Sequence, residues 1–332
     1  MMLYRQFATQ EEIHKEYDVE KSVPDFQRYA EFNINESKKA RDELECLLDV
    51  PFGPTVEETL DIFPAQDPDA PILVFIHGGY WRSNSSKEFS WVARGPVALG
   101  FTVVITNYAL CPKVTLPEIT RQSRAAIAWV QRSSKTFSGS RRRIYVAGHS
   151  AGGHQVAMLL HTRWMEDYGL PRDVIRGGFA ISGLFDLRPL RFSWLQPMLQ
   201  LTEDIVQTQS PLLRLPDRAP PLFVSVGGAE SSELRRQSVD YLHAWKAAGL
   251  RQVLMGFALR TRGGSTSKNR DAVHMPREAR GRDLHRAGTR TGSESFVFAD
   301  RTWEFSARLD EQIKYFNWFS DLQTCPLDFV SG

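Results

Sequence analysis

The sequence Gly148-His149-Ser150-Ala151-Gly152 follows the apolar run RIYVA and precedes a segment with helical apolar spacing. A serine between two glycines on a sharp strand-to-helix turn is typical of a nucleophile for acyl transfer. Small residues are needed on both sides of the serine because such a turn brings neighbouring backbone very close. We therefore predict that Ser150 is a nucleophile and that the helix after it directs N–H groups toward the developing charge.

A second stretch, VFIHGGYW at 74–81, places two glycines at the end of an apolar run. Acyl-transfer enzymes with this kind of serine turn complete the oxyanion hole with a loop after an earlier strand, often of HGGG type. We predict that the N–H groups of Gly78, Gly79 and Ala151 form this hole. His77 is expected to tie the loop to nearby backbone rather than to take part in the chemistry.

A catalytic serine also needs an acid and a base, which follow it in chain order in this kind of enzyme. Glu230 comes directly after the apolar run PLFVSV and before a helix, which is the position expected of the acid. Asp186 is the competing acid, although it follows an earlier strand. A purely structural role for Glu230, as an acid at a helix N-terminus, stays open.

The elements that must position these residues alternate along the chain. Short apolar runs at 71–77, 101–108, 143–153, 174–183 and 221–228 predict buried strands, and the segments 118–137 and 234–249 have helical spacing. The region 9–48 is expected to be helical and 56–65 to be an antiparallel strand. Strands alternating with helices predict an α/β fold with a central, mostly parallel sheet and helices on both faces. We expect one domain over 1–332.

Composition sets broad limits. The 332 residues are 42% hydrophobic and 24% charged, with a net charge of +2, so charge gives no argument for nucleic acid or an anionic membrane. No apolar run approaches the ~18 residues of a membrane span, and no secretory signal is visible. The three cysteines lack the spacing of metal ligands, and so sparse a number favours a reducing compartment. These features predict a cytoplasmic protein without a metal.

Several stretches together resemble one family: HGGYWR (77–82), NYALCP (107–112), AGHSAGGHQVAMLL (147–160), ISGLFDLRPL (181–190) and GGAESSELRRQS (227–238). They are similar to the kynurenine formamidases (arylformamidases), which have the α/β-hydrolase fold, and the similarity covers about residues 20–250. HGGYW is the more specific signal, because GHSAG is shared with many esterases.

The resemblance implies hydrolysis of N-formyl-L-kynurenine to L-kynurenine and formate, without a cofactor, with Ser150 as nucleophile and Glu230 as triad acid. It also implies that Tyr80 and Trp81 could flank the aromatic ring of the substrate, where stacking contributes ~1 kcal/mol. Core packing is an equally open alternative for Trp81. Members of the family are often dimers, so a homodimer is expected.

The chain departs from the family where the catalytic base should be. The family has a histidine some thirty residues after the acid, but the sequence there is RTRGGSTSKNRD. His274 is the best candidate for a displaced base, and His285 is its rival. His149, His154 and His161 are expected to be structural or exposed, and His243 to face solvent.

The segment after 250 leaves two explanations open. Residues 251–290 contain nine arginines and one lysine against three acids. Beyond a possible last strand at 251–259, their apolar residues show almost no periodic spacing. The segment is either a basic loop inserted before a terminal helix or the product of a shifted reading frame, in which case the base is missing. Three functions follow: an arylformamidase, a carboxylesterase for small acyl groups, or an inactive protein with this fold.

Overall fold

The computed structural model describes residues 2–257, and for 252–257 it describes the backbone only. The predicted bases His274 and His285, most of the basic segment 251–290 and the predicted terminal helix lie outside the described residues. So does the final part of the predicted domain 1–332.

The described strands form one eight-stranded sheet in the order β1-β2-β4-β3-β5-β6-β7-β8. The strands from β4 to β8 pair in parallel, whereas β1 and β2 are antiparallel to their neighbours at one edge. The strands are β1 (Leu47–Pro51), β2 (Thr59–Phe63), β3 (Ile72–Ile76), β4 (Thr102–Thr106), β5 (Ile144–His149), β6 (Ile175–Ile181), β7 (Leu222–Gly227) and β8 (Gln252–Phe257).

Ten α-helices lie in the described part of the chain. They are α1 (Gln10–Tyr17), α2 (Val19–Ser22), α3 (Phe26–Glu43), α4 (Arg94–Ala98), α5 (Leu116–Ser133), α6 (Ala151–Leu160), α7 (Trp164–Tyr168), α8 (Gln196–Leu199), α9 (Glu203–Gln209) and α10 (Ser232–Ala247). No helix among residues 2–257 is both long enough and apolar enough to cross a bilayer.

The central strands explain why the apolar runs are continuous. All five residues of β3 and all five of β4 are buried. A parallel strand that is covered on both faces needs apolar side chains at successive positions rather than at alternate ones. The predicted α/β-hydrolase fold with a mostly parallel sheet is confirmed.

One expectation for local structure was wrong. The helical prediction for 9–48 fails at its end, because Leu47 and Leu48 belong to β1, which pairs with β2 at the sheet edge. Within α3 the apolar side chains of Phe26, Tyr29 and Phe32 are exposed rather than packed. Between β3 and β4 the chain forms mainly 3₁₀ turns and only the short helix α4, where Pro96 and nearby glycines limit helix length.

Candidate active site

Ser150 stands alone between β5 and α6, at the turn that the sequence predicts. Its backbone has φ 56° and ψ −116°, a conformation that a residue other than glycine rarely adopts. The Ser150 N–H donates a hydrogen bond to the Ile181 carbonyl of the neighbouring strand at 2.8 Å. Strain of this kind at a partly exposed serine is the geometry of a nucleophile elbow.

The two glycines of the elbow have a direct steric reason. A Cβ atom on Gly152 would lie 1.9 Å from the Ile76 carbonyl oxygen, and one on Gly148 would lie 2.4 Å from the Gly152 carbonyl oxygen. Both contacts are with backbone, which cannot move aside without disturbing the sheet. The elbow therefore accepts no side chain at either position.

The HGG loop after β3 lies against Ser150. A Cβ atom on Gly78 would lie 3.2 Å from Ser150 Cβ and 2.9 Å from the His149 carbonyl oxygen. Gly79 has φ +116°, and a Cβ there would lie 2.2 Å from the Ser83 carbonyl oxygen. The structure thus brings the loop and Ser150 together and explains why both positions lack side chains.

The amides of this loop are suitable oxyanion donors. Within the described residues, the N–H groups of Gly78 and Gly79 donate no backbone or side-chain hydrogen bond. Ala151 is the first residue of α6, so its N–H has no intrahelical acceptor one turn back. The role of these three amides in an oxyanion hole stays a prediction.

The next two residues form a left-handed turn. Tyr80 has φ 47° and Trp81 has φ 57°, and the turn is closed by a 3.0 Å hydrogen bond from the Arg82 N–H to the Gly79 carbonyl. Positive φ at both central positions is the pattern of a type I′ turn and is unusual for aromatic residues. The turn directs the two rings to different surroundings.

The predictions for the aromatic pair have different outcomes. Tyr80 is 6% exposed, its hydroxyl donates to the Tyr17 carbonyl at 3.0 Å, and its ring meets Trp194 edge-on at 6.0 Å. Its contact with substrate stays a prediction. Trp81 has no accessible surface and packs edge-on against His154 at 5.0 Å. This burial favours the alternative of core packing for Trp81, and its contact with substrate stays a prediction.

Glu230 occupies the expected position after β7 and is held in place by two donors. The Gly227 N–H donates to its Oε1 at 2.8 Å, and the Ser182 hydroxyl donates a very short hydrogen bond to the same oxygen. Ser182 directly follows Ile181, whose carbonyl accepts the bond from the Ser150 N–H. Glu230 is thus connected to Ser150 through the end of β6, although its role as triad acid stays a prediction.

The competing acid, Asp186, has a structural environment. Its side chain is fully buried and accepts hydrogen bonds from both Arg188 nitrogens, at 2.8 and 2.9 Å, and from the Tyr4 hydroxyl. Burial raises the pKa of Asp186, but the hydrogen bonds from Arg188 and Tyr4 outweigh that effect and hold the pKa below its usual value. These contacts leave Asp186 committed to a charge network and favour Glu230.

His77 supports the HGG loop, as the sequence suggested. Its ring is buried and stacks on Tyr108 at 4.1 Å, and its Nδ1–H donates to the Gly78 carbonyl at 2.8 Å. Desolvation by burial lowers the pKa of His77 to about 4, so the ring is neutral near pH 7. A neutral ring with Nδ1 engaged in this way fixes the loop.

The other described histidines also have structural roles or face solvent. Burial lowers the pKa of His149 and of His154 to about 4 and that of His161 to about 3. His154 Nε2–H donates to the Gln209 carbonyl at 2.7 Å, and His161 Nε2 shares a hydrogen bond with the Tyr241 hydroxyl. His243 is exposed on α10, as expected.

The two candidate bases lie beyond the described residues. Glu230 is followed in the sequence by three histidines, His243, His274 and His285. The first is on the solvent face of α10, and the other two lie outside residues 2–257. The assignment of His274 stays a prediction.

The residues that hold the site together were not predictable from the sequence. Ser182 has φ 50° and contacts Glu230. Its only signal in the sequence is its place near the end of the apolar run 174–183. Tyr17 and Trp194, which contact Tyr80, come from segments far apart in the chain. Such contacts depend on tertiary structure and have no local pattern.

Comparisons with known proteins agree with this geometry. A family model described as BD-FAE matches residues 60–168. Kynurenine formamidase of Danio rerio is 32% identical over 222 residues, which span 65% of this chain and 74% of that protein. Esterase LipQ of Mycobacterium tuberculosis is 25% identical over 224 residues, which span 60% of this chain and 53% of that protein.

A solved structure extends the agreement to three dimensions. The crystal structure of a thioesterase candidate from Silicibacter sp. tm1040 superposes with a TM-score of 0.65 at 29% identity, covering 74% of this chain and 90% of that one. The sheet, the serine elbow and the similarity to the Danio rerio enzyme lead to one conclusion. The chain has the α/β-hydrolase fold and belongs to the kynurenine formamidase family.

Proposed function

We propose that this protein is a serine hydrolase that converts N-formyl-L-kynurenine to L-kynurenine and formate. The observation that carries the proposal is the strained Ser150 elbow with Gly78 packed directly against it. The family membership supports an aryl formamide as the substrate. A formyl group is the smallest acyl group, which suits a site where glycine and serine lie this close.

The proposed reaction has two steps at Ser150. Its Oγ attacks the formyl carbon while a base removes the hydroxyl proton, and the resulting oxyanion is held by the amides of Gly78, Gly79 and Ala151. Collapse breaks the C–N bond, and the arylamine leaves with the proton from the base. Water then attacks the formyl-Ser150 ester, which releases formate and restores the serine.

Two further residues complete the proposed machinery. Glu230 would orient the base, and His274 would be that base, with His285 as its rival. Removing one oxyanion donor typically costs ~3 kcal/mol of barrier, and loss of a triad member costs several orders of magnitude in turnover.

The test is hydrolysis of N-formyl-L-kynurenine by the purified full chain, followed by the absorbance of kynurenine. We expect Ser150→Ala to abolish the reaction and His274→Ala, or else His285→Ala, to reduce it by at least about a thousandfold. Ser138→Ala is the matched control, because Ser138 also has a positive φ, of 57°, but lies away from the elbow. Full activity in Ser150→Ala would refute the mechanism.

A small-acyl carboxylesterase is the second candidate function, and the similarity to Esterase LipQ favours it. Hydrolysis of p-nitrophenyl acetate far faster than that of N-formyl-L-kynurenine would support this alternative.

An inactive protein with this fold is the third candidate. A folded chain that hydrolyses neither substrate and does not react with a serine-directed phosphonate would show that the base is missing. The homodimer and the cytoplasmic location remain predictions, which sedimentation velocity and cell fractionation would test.

A further inference from the structure

A cavity of about 360 Å³ lies beside the oxyanion loop. Three separate parts of the chain line it: the N-terminal segment, the residue after the Tyr80–Trp81 turn, and the segment before α8. The lining residues are His14, Asp18, Glu20, Lys21, Arg82 and Trp194. This volume falls within the range of small-molecule sites.

Tyr80 and Arg82 join the residues that line the cavity to the HGG loop. The Tyr80 ring contacts Trp194, and its hydroxyl binds the carbonyl of Tyr17, the residue before Asp18. The Arg82 N–H donates to the carbonyl of the oxyanion glycine Gly79 at 3.0 Å, so the two residues are separated by a single turn. In a turn of this kind the first and last Cα atoms lie less than ~7 Å apart. A ligand whose reacting carbonyl meets Ser150 can therefore extend into the cavity.

Two of the residues that line the cavity each have a buried donor atom without an acceptor among the described residues. Arg82 lies over the Trp194 ring at 4.8 Å, and its ion pair with Glu20 is long, at 3.5 Å. Among the described residues, Arg82 Nε and Trp194 Nε1 are buried and make no hydrogen bond. Buried donors without acceptors are costly, which is a reason to expect an anionic oxygen ligand between them.

The remaining charges suit a ligand with both signs. The lining contains two acids, Asp18 and Glu20, and two bases, Lys21 and Arg82. Lys21 binds Asp18 at 2.7 Å, whereas Glu20 has only the long contact with Arg82 as an ion pair in the described residues. A carboxylate that engages Arg82 would release Glu20 for a cation. Arg82 and Glu20 together are therefore complementary to a zwitterion rather than to a simple anion.

We infer that this cavity binds the α-amino acid group of the substrate, with Arg82 and Trp194 Nε1 donating to its carboxylate and Glu20 accepting from its ammonium group. The inference rests on the proposed function, since it assigns the far end of the same substrate. It makes Arg82 and Glu20 determinants of specificity for zwitterionic aryl formamides over uncharged ones.

The first test compares two substrates that share the reacting group. N-formyl-L-kynurenine carries the amino acid, and N-formyl-2-aminoacetophenone is the same aryl formamide without it. Arg82→Met keeps the side-chain stem and is expected to raise KM for the first substrate 10- to 100-fold, with little change in kcat and no change for the second. Arg163→Met is the control, because Arg163 is exposed and pairs with Asp167 on α7. Equal losses on both substrates, or no loss on either, would overturn the inference.

A second variant tests the site without altering Arg82, whose substitution could disturb the Tyr80–Trp81 turn. Glu20 is exposed on α2, so Glu20→Gln leaves the fold intact, and we expect a rise of about threefold in KM for the zwitterionic substrate alone. An unchanged KM for this variant would remove Glu20 from the site.

The third test does not depend on hydrolysis. Titration calorimetry of the Ser150→Ala protein with L-kynurenine should show binding that weakens at least tenfold when Arg82→Met is added, while 2-aminoacetophenone binds both proteins equally weakly. Binding of this kind in a protein that does not hydrolyse N-formyl-L-kynurenine would uphold the cavity and refute the proposed function. Hydrolysis with binding that is indifferent to Arg82 would refute the cavity alone.

Discussion

The two sides of the site are built by different means. On the nucleophile side, backbone meets backbone at Gly78, Gly148 and Gly152, and the buried histidines there are neutral. The acid side depends on a network of charged side chains that joins the N-terminal segment to the loop after β6 and to α10. Its members are Tyr4, Tyr17, Asp186, Arg188, Glu233, Arg236 and Asp240.

This difference determines which substitutions and which changes in pH destabilise each side. Steric contacts between backbone atoms are intolerant of any added atom and do not themselves depend on pH, so on this side the response to acid comes from the buried neutral histidines. A charge network tolerates small changes in shape but depends on the ionisation of each member and on every partner being present. The comparison predicts separate responses to substitution and to acid.

The largest effect is expected on the nucleophile side. Gly152→Ala places a Cβ atom 1.9 Å from the Ile76 carbonyl oxygen, so the elbow or β3 must shift. We expect a loss of about 3 kcal/mol or more in the free energy of unfolding, measured by urea denaturation. Gly177→Ala is the control, since its nearest contact would be an ordinary 3.5 Å. Equal stability of the two variants would contradict the steric explanation.

Asp186→Asn is expected to have the next largest effect. It leaves the half-exposed Arg188 and the more buried Arg236 without their shared anion, at a cost of about 3 kcal/mol near pH 7. The folded-state pKa of Asp186 is lowered, so its contribution is complete above the unfolded value of about 4 and is lost as the pH falls through the folded pKa.

The measurement for Asp186→Asn is urea denaturation at pH 7 and at successively lower pH. The difference from the parent protein should stay constant down to about pH 4 and shrink below it. Asp42→Asn, in an exposed pair on α3, should change stability by less than about 0.5 kcal/mol. A deficit that changes between pH 7 and 5 would be inconsistent with this assignment.

The nucleophile side should respond to acid earlier. His154 has a folded-state pKa of about 4 against about 6.5 when unfolded, so its neutral form is favoured by folding. Its contribution is present above pH 6.5 and is lost as the pH falls toward 4, at up to ~1.4 kcal/mol per pH unit. His154→Gln should reduce the slope of stability against pH by that amount, and the exposed His243→Gln should leave it unchanged. Identical slopes in all three proteins would show that His154 does not titrate in this way.

The smallest effect is expected from a single hydroxyl at the edge of the network. Tyr4→Phe removes the hydrogen bond to Asp186 and should cost ~1 kcal/mol in the free energy of unfolding. Tyr29→Phe on the exposed face of α3 is the control and should cost nothing measurable. A cost for Tyr4→Phe as large as that for Asp186→Asn would mean that the hydroxyl, rather than the two arginines, holds the network together.

The same division explains what the sequence could predict. The elbow and the HGG loop require glycine at fixed spacings beside an apolar run, so local sequence carries their signal. The continuous apolar runs likewise predicted the buried strands β3 and β4. The edge strand β1 was missed because its exposed leucines continue an apparent helical pattern.

The acid side was predictable only in part. Glu230 was found because it directly follows a strand, whereas Ser182, which holds it, has no distinctive sequence context. The sequence left substrate contact and core packing open for Trp81, and the burial of its ring is seen only in the structure. Contacts made by side chains from distant segments leave no local pattern.

The partners in the charge network lie far apart in the sequence, so the ribosome makes them at different times. Tyr4 and Asp186 are separated by 182 positions, and Tyr17 and Glu233 by 216. At about 5–20 residues per second, a ribosome makes the partners of these tyrosines roughly ten to forty seconds after the tyrosines themselves. The elbow at Ser150 is made before Asp186 and Glu233, so it can form before these contacts do. Of the two sides, the acid side is therefore the later one that a newly made chain can assemble.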